Sequence, residues 1–249
     1  MISFRQVEKI FNKGKPNEVV ALKPLDLTLT DGDFLVVVGS NGSGKSTLLN
    51  LVSGSILATK GTIYMDDVNV TRMPDYKRSR WVARVFQNPL LGTAPDLSIL
   101  DNFRLAALRT MSKKLVLGSS EKFRQQVRDK ITTLGMGLEN KTGQLMGTLS
   151  GGQRQALTLL MSVMDDLKIL LLDEPTAALD PRSAAVVMQT ADKLIREYQL
   201  TALLVTHNLK EAFQYGNRII HMHDGSVIRD IPSAEKQQIK DTDLYQWFQ

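Results

Sequence analysis

The stretch "VVVGSNGSGKSTLLNLV", Val36 to Val52, decides the fold of this chain. Three branched apolar residues predict a buried strand, and the leucine-rich end has helical spacing. Between them, residues 39–47 match the pattern G-x-x-x-x-G-K-[ST] at every position, in the strand-to-helix context that the pattern requires. The glycines let backbone N–H groups turn inward around a phosphate, and the helix N-terminus adds its positive end. The stretch therefore predicts a loop that binds a nucleoside triphosphate.

The same loop assigns roles to single side chains. We expect Lys45 to reach the β- and γ-phosphates, and the hydroxyl of Ser46 to bind Mg²⁺. The other predicted contacts to the nucleotide are Gly39, Ser40, Asn41, Gly42, Ser43, Gly44 and Thr47. Binding of a nucleotide does not by itself say what the nucleotide is used for.

The second half of such a site is expected where a buried strand ends in two acids. The stretch "ILLLDE", residues 169–174, is a continuous apolar run that ends in Asp173 and Glu174. Asp173 is predicted to hold the Mg²⁺ shell, and Glu174 to polarise the attacking water. Such a pair is often only a solvated strand end, and the phosphate loop is what gives it this interpretation.

A third motif is "LSGGQRQAL", Leu149 to Leu157. Ser150 is a good N-cap, and Gly151 and Gly152 expose backbone N–H groups at the start of a helix. The motif is thus a second anion-binding helix terminus in a chain that already has one. Because it lies in the helical middle of the chain, we do not expect it to reach the chain's own phosphate loop.

Apolar runs and helical spacing place these motifs in an α/β fold. The runs at residues 34–38, 168–173 and 201–207 predict strands that are covered on both faces, as in a parallel sheet. Residues 181–199 have helical spacing, and Pro181 suits a first helical turn. A helix between two such strands predicts a right-handed crossover.

The two ends and the middle of the chain add smaller parts. Alternating patterns at residues 2–11 and 19–30 predict strands, and Asp224-Gly225 predicts a hairpin turn. The predicted fold class is α/β: a P-loop NTPase core with a mixed or parallel sheet, an N-terminal antiparallel β part and an inserted α-helical subdomain. The predicted bounds, within one domain of residues 1–249, are 1–88 and 164–249 for the core and 89–163 for the helical subdomain with the third motif.

Composition bounds the class of protein without naming it. With 249 residues, 43% of them hydrophobic and 23% charged, the chain can bury a core. Its formal charge of +5 is compatible with anionic ligands, an anionic membrane face or nucleic acid. The absence of cysteine excludes disulfides and thiolate metal sites. No stretch is apolar enough for a signal-peptide core or a spanning helix, so we expect a protein that is soluble or peripheral to a membrane.

Taken together, the motifs at residues 39–47, 149–153 and 170–180, the last reading "LLLDEPTAALD", resemble those of the ATP-binding cassette (ABC) ATPases. These are the nucleotide-binding subunits of ABC transporters. The resemblance covers essentially the whole chain, with the motifs in the family's order and spacing. It implies ATP and Mg²⁺ as ligands and ATP hydrolysis as the activity.

The resemblance also implies roles for residues that the motifs alone do not explain. Phe11 is expected to stack on adenine, Gln87 to contact Mg²⁺ and water, and His207 to touch the γ-phosphate. Asp180 is expected to meet a second ABC ATPase subunit, most simply another copy of this chain. In that arrangement, the residues of one chain placed against the ATP of the other are Ser150, Gly151, Gly152 and Gln153.

A stand-alone cassette of this kind resembles the ATPase subunit of a bacterial importer. The implied partners are transmembrane permease subunits and an extracytoplasmic solute-binding protein. Residues 88–100 are expected to line a groove of this chain that receives the coupling helix of the permease. The implied location is the cytoplasmic face of the bacterial inner membrane, and no nucleic acid is expected. Residues 90–99, 149–161 and 200–225 are similar to those of cassettes linked to amino-acid uptake. An export or lipoprotein-release cassette, and a soluble ABC ATPase acting on the ribosome or nucleic acid, remain as alternatives.

Overall fold

The computed structural model describes residues 1–108 and 120–238. In chain order the strands are β1 (Ile2–Phe11), β2 (Val19–Leu29), β3 (Phe34–Val38), β4 (Lys60–Met65), β5 (Val68–Asn69), β6 (Val82–Val85), β7 (Ile169–Asp173), β8 (Thr201–Val205), β9 (Arg218–His223) and β10 (Ser226–Ile231). The helices are α1 (Lys45–Ser53), α2 (Asp75–Arg78), α3 (Ile99–Ala107), α4 (Glu121–Thr132), α5 (Gly151–Ser162), α6 (Pro181–Glu197), α7 (Leu209–Gln214) and α8 (Ser233–Lys236), with a short 3₁₀ helix at Met146–Thr148.

A six-stranded sheet with the order β10-β9-β3-β8-β7-β6 forms the middle layer. Strands β9, β3, β8, β7 and β6 run parallel, and β10 pairs antiparallel with β9. Every residue of β3 and β8 is buried. Their uninterrupted apolar sequences follow from this burial, because both faces of these strands are covered. The predicted α/β class and mixed sheet are confirmed.

Alternate residues of the buried strands face two separate apolar cores. Val36 and Val38 belong to a core that α3, α4, α5 and α6 complete. Leu35 and Val37 belong to a second core, which contains α1 and a four-stranded antiparallel sheet of order β2-β1-β4-β5. The sequence patterns predicted β1 and β2 of this second sheet and missed β4 and β5. Opposite faces of one strand thus hold the helical layer and the antiparallel layer.

The strand order brings the motif-bearing loops to one edge of the sheet. Because β3, β8 and β7 are parallel neighbours, the loops that follow their carboxyl ends lie side by side. These loops begin at Gly39, Thr206 and Glu174. Gly39 and Asp173 are 134 positions apart in the sequence, yet the phosphate-loop motif and the two acids share one edge of the sheet.

The helices α3, α4 and α5 lie along the chain between β6 and β7, and α5 packs on α6. This order agrees with an inserted helical part, whose exact bounds at residues 89 and 163 stay a prediction. Within residues 1–108 and 120–238, no helix has the length and apolar character needed to cross a membrane.

Candidate nucleotide-binding site

The phosphate-loop motif joins the end of β3 to the start of α1. Lys45, the first residue of α1, is buried, and its Nζ donates hydrogen bonds to the carbonyl oxygens of Gly39 (2.8 Å) and Ser40 (2.9 Å). Burial lowers the pKa of Lys45, and the negative charge of Glu174 acts in the opposite direction. An ammonium group has three N–H donors, so Lys45 keeps one for a phosphate while the other two hold the loop closed.

Two glycines are required by close backbone approaches. Gly39 has a φ of 154°, and a Cβ there would lie 2.3 Å from the carbonyl oxygen of Met222. Gly44 has a φ of 103°, and its Cβ would lie 2.8 Å from the carbonyl oxygen of Ala21. Because L side chains avoid such φ values and contacts this short, the loop accepts only glycine at both positions.

The hairpin predicted at Asp224-Gly225 is confirmed and supports the phosphate loop. Asp224 and Gly225 both have positive φ, as a tight hairpin turn requires. The backbone N–H of Gly225 donates to the carbonyl oxygen of Ser43 at 3.1 Å. The Ser43 hydroxyl is buried and has no hydrogen-bond partner within the described residues. An unsatisfied hydroxyl and inward-turned backbone suit an anionic ligand that brings its own oxygens.

Asp173 ends β7, which is separated from β3 by β8 in the six-stranded sheet. Its Oδ2 accepts a 2.6 Å hydrogen bond from Arg84 Nη2 in a pair that is mostly buried. Arg84 also donates through Nη1 to Asn50 Oδ1 at 2.7 Å, and its guanidinium lies 4.7 Å from the ring of Phe86. Sequence reasoning missed Arg84, although a charged residue inside the apolar run "VARV" was the available signal.

Glu174 and His207 lie together at the ends of β7 and β8. The Nδ1 of His207 is 3.2 Å from Oε2 of Glu174, and the backbone N–H of Glu174 donates to the carbonyl oxygen of Val205 at 2.9 Å. Glu174 has a φ of 45°, a left-handed conformation that costs about 1–2 kcal/mol for a residue with a Cβ. Strain of this kind is often kept where a side chain must point to one place. The imidazole is largely exposed, so it can also meet a ligand from outside.

A buried carboxylate joins the two loops that carry Glu174 and His207. Glu211 in α7 accepts hydrogen bonds from the hydroxyls of Thr176 (2.7 Å) and Thr206 (2.8 Å). Thr176 follows Glu174 by two positions, and Thr206 precedes His207. Sequence reasoning did not select Glu211, because nothing in its helical context distinguishes it from a surface acid.

The start of α5 carries the third motif and has the expected cap. Ser150 Oγ accepts a hydrogen bond from the backbone N–H of Gln153 (3.3 Å), and Gln153 Oε1 accepts one from the backbone N–H of Ser150 (3.1 Å). This reciprocal pair is a capping box. A Cβ at Gly152 would lie 2.6 Å from Cβ of Ser183, whereas one at Gly151 would only touch Leu179. Gly152 therefore serves close packing of α5 on α6 as well as an exposed helix end.

Asp180 is the N-cap of α6 and lies beside this contact. Its Oδ1 accepts hydrogen bonds from the backbone N–H groups of Arg182 and Ser183, both at 3.1 Å. Hydrogen bonds from Ser183, through its side chain first and its backbone second, lower the pKa of Asp180. The carboxylate thus stays ionised and exposed next to the start of α5.

Two of the predicted site residues are exposed at the rim. Phe11 ends β1, and the Nζ of Lys9 lies 4.8 Å from its ring centre. Gln87 is the second residue after β6 and is exposed. Their predicted roles towards adenine and towards Mg²⁺ stay predictions.

The side chains predicted to bind Mg²⁺ all offer oxygen atoms. The predicted protein ligands are the Ser46 hydroxyl, the Asp173 carboxylate and the Gln87 amide oxygen, and hard oxygen atoms are what Mg²⁺ prefers. Within the described part of the chain, no group of three or more His, Asp or Glu side chains could hold a metal without help.

Comparisons with known proteins agree with the geometry. The model of a family described as "ABC transporter" matches residues 22–177. A tyrosine transport ATP-binding protein of Clostridioides difficile is 38% identical over 254 aligned positions, which cover 100% of this chain and 99% of the relative. A phosphonates import ATP-binding protein of Lactococcus lactis is 33% identical and covers 94% of each chain.

Among solved structures, the chain is similar to a dimeric post-hydrolysis state of the ATP-binding cassette MJ0796 bound to ADP and Pi. The TM-score is 0.79 at 29% identity, over 94% of this chain and 99% of that one. The family model matches more than half of the chain, and the tyrosine transport relative is similar over its full length, so these matches establish the family. The chain belongs to the ABC transporter family and is one of its ATP-binding, ATP-hydrolysing subunits.

Proposed function

We propose that this chain is the ATPase subunit of a bacterial ABC importer. The observation that carries the proposal is the meeting of three groups at one sheet edge. The phosphate loop with Lys45 follows β3, Glu174 follows β7, and His207 follows β8, with 3.2 Å between the last two side chains. A phosphate-binding loop next to a carboxylate and an imidazole is an arrangement for attack of water on a terminal phosphate.

Each residue has a separate task in this reaction. Lys45 and the backbone N–H groups of residues 39–47 hold the phosphates and stabilise their charge. Glu174 accepts a hydrogen bond from the attacking water and takes its proton as the new oxygen–phosphorus bond forms. The bond between the γ-phosphorus and the bridging oxygen breaks in the same reaction, and ADP and phosphate are released. His207 fixes the Glu174 carboxylate through Nδ1 and presents its other nitrogen to the γ-phosphate. When bound by Ser46, Asp173 and Gln87, Mg²⁺ supplies further neutralisation of the phosphate charge.

The second helix terminus completes the site from another copy of the chain. Ser150 is exposed, and its capping box uses the backbone N–H groups of Ser150 and Gln153, so those of Gly151 and Gly152 are the ones that an anion could bind. We infer that two chains join head to tail, with Ser150 and Gly152 of one against the ATP bound at Lys45 of the other. Loss of the γ-phosphate removes a shared ligand and releases the pair.

A groove between the core and the helices suits the permease. It has a volume of about 600 Å³ and is lined by β6, the loop at residues 91–94 and the helices α3 and α5. Leu91 and Leu105 on its rim are more than half exposed. We propose that an apolar helix end of a transmembrane permease binds here and holds the chain at the cytoplasmic face of the membrane. A solute-binding protein outside the membrane would complete such an importer.

The relatives favour import of amino acids among the possible substrates. Three of them are named for tyrosine transport, phosphonate import and methionine import. Because the ATPase subunit does not contact the solute, its own residues do not select among these classes.

The proposal is tested with purified protein and with membranes of the native host. Wild-type protein should hydrolyse ATP in the presence of Mg²⁺, and Glu174→Gln should bind ATP yet turn over at least about a hundredfold slower. A tagged chain should copurify from detergent-solubilised membranes with a multi-spanning permease in near equal amount. Recovery with ribosomes or nucleic acid instead would contradict the transport function while leaving the ATPase chemistry intact.

A further inference from the structure

A buried glutamine in α5 contacts the loop that contains Gln87 and the loop that contains Glu174. Gln155 is 1% exposed, and its Nε2 donates to the carbonyl oxygens of Phe86 (2.7 Å) and Pro175 (3.1 Å). Both acceptors are backbone carbonyls, so only the amino end of the amide can make these two bonds. One side chain thus joins three segments that are distant in sequence.

The two acceptors are next to the residues with predicted catalytic roles. Phe86 directly precedes Gln87, and Pro175 directly follows Glu174. Gln155 lies in the same helix as the capped terminus at Ser150, about one turn further along. A displacement of the start of α5 therefore reaches the backbone beside Gln87 and Glu174 through hydrogen bonds, with Gln155 as the connecting side chain.

The surroundings of Gln155 are apolar, so packing alone does not require an amide at this position. The next residues of α5, Ala156 and Leu157, are buried and apolar. The Oε1 of Gln155 is buried and has no hydrogen-bond partner within the described residues. A half-satisfied buried amide costs stability that an apolar side chain of the same length would not. The two hydrogen bonds that its amino group donates to the carbonyl oxygens of Phe86 and Pro175 explain why an amide is present.

We propose that Gln155 is a positioning residue that sets the backbone beside Gln87 and Glu174 according to the position of α5. The inference rests on the proposed function, since it presupposes hydrolysis assisted by Glu174. When ATP of the partner chain binds the start of α5, the helix carries Gln155 with it and brings both loops into their hydrolytic arrangement. Gln155 thereby couples formation of the two-chain site to hydrolysis within it.

The test compares two substitutions at this position with a control in a neighbouring helix. Gln155→Met keeps the length and removes both hydrogen bonds, and Gln155→Glu replaces the donor by an acceptor that faces two carbonyls. The control is Thr190→Val, which removes one hydroxyl that donates to Val186 within α6 at 2.8 Å. We expect kcat for ATP hydrolysis to fall at least about tenfold in both variants, while the Kd for ATP changes less than about threefold. The control should stay within about twofold of wild type in both quantities.

Hydrogen exchange supplies a readout that does not depend on activity. In nucleotide-free Gln155→Met, the backbone amides of residues 86–88, 174, 176 and 177 should exchange faster than in wild type, and those of α1 should not. Unchanged exchange in these two segments, or a kcat no lower than in the control, would overturn the inference. A Kd for ATP that rises as much as kcat falls would also overturn it, because a general loss of structure then explains both.

Failure of the proposed function and failure of the inference about Gln155 give different experimental results. If wild-type protein does not hydrolyse ATP, or if its activity survives the Glu174→Gln substitution, the proposed function is wrong. The hydrogen-exchange measurement then still decides whether Gln155 holds the two loops. If wild type is active and Gln155→Met is equally active, only the inference about Gln155 is wrong. Should Gln155→Glu fail to fold, Gln155→Met decides the question.

Discussion

The contact between the starts of α5 and α6 leaves no room for a side chain at Gly152. A Cβ built there lies 2.6 Å from Cβ and 2.7 Å from Oγ of Ser183. Carbon atoms in contact are normally about 3.5–4.0 Å apart, so Gly152→Ala must move one helix end by about 1 Å. Overpacking of this size costs about 1–3 kcal/mol. We therefore expect Gly152→Ala to lower the free energy of unfolding by about 2 kcal/mol.

Substitutions at Ser183 separate the steric effect from a general effect of alanine in the motif. Ser183→Gly removes both contacting atoms, whereas Ser183→Ala removes only Oγ and keeps the Cβ at 2.6 Å. Urea denaturation followed by circular dichroism would give the unfolding free energies. Gly152→Ala should cost at least about 1 kcal/mol less in the Ser183→Gly background than in the Ser183→Ala background. Equal costs in both backgrounds would refute the packing explanation.

Three further predictions concern single side chains. Lys45→Ala should weaken ATP binding at least about tenfold in equilibrium titration, because a charge-assisted contact to phosphate is lost, and unchanged affinity would contradict the predicted role. Glu211→Ala should lower the unfolding free energy by about 2 kcal/mol, since it leaves the hydroxyls of Thr176 and Thr206 without their acceptor, whereas the exposed Glu235→Ala should change it little. Burial lowers the pKa of Lys236 to about 8 from 10.5, so between these values the unfolded chain binds more protons and the stability conferred by this group rises with pH. The unfolding free energy of wild type should therefore increase relative to Lys236→Met from pH 8 to pH 10.5, and a decrease in that window would contradict the sign.

Local patterns predicted the parts of the fold whose sequence reflects local surroundings. Strands β3 and β8 are buried on both faces, and their apolar runs show it directly. The hairpin turn at Asp224-Gly225 needs positive φ at two successive residues, which that dipeptide favours. The phosphate loop combines both kinds of signal, so its strand, turn and helix were predicted together.

Contacts between distant segments explain what the patterns missed. Strand β6 is only four residues long and contains Arg84, whose charge is satisfied by Asp173, 89 positions away. Strand β4 pairs with β1 and is half-buried, so it has neither a continuous apolar run nor a clean alternation. The roles of Glu211 and Gln155 could not be predicted, because their hydrogen bonds form only when α7 and α5 pack against loops from other parts of the chain. Thr176 is 35 positions from Glu211, and Phe86 and Pro175 are 69 and 20 positions from Gln155, so no short stretch of sequence contains both partners of these three contacts.

Dimer formation by an ATP-trapped variant tests the two-chain site most directly. Glu174→Gln should retain ATP, and with ATP and Mg²⁺ it should elute from a sizing column as a dimer, while without nucleotide it should elute as a monomer. Addition of Ser150→Arg to Glu174→Gln should leave ATP binding intact and abolish the dimer, because the cationic side chain blocks the start of α5. A double variant that dimerises as well as Glu174→Gln, or a Glu174→Gln protein that binds ATP and stays monomeric, would contradict the account.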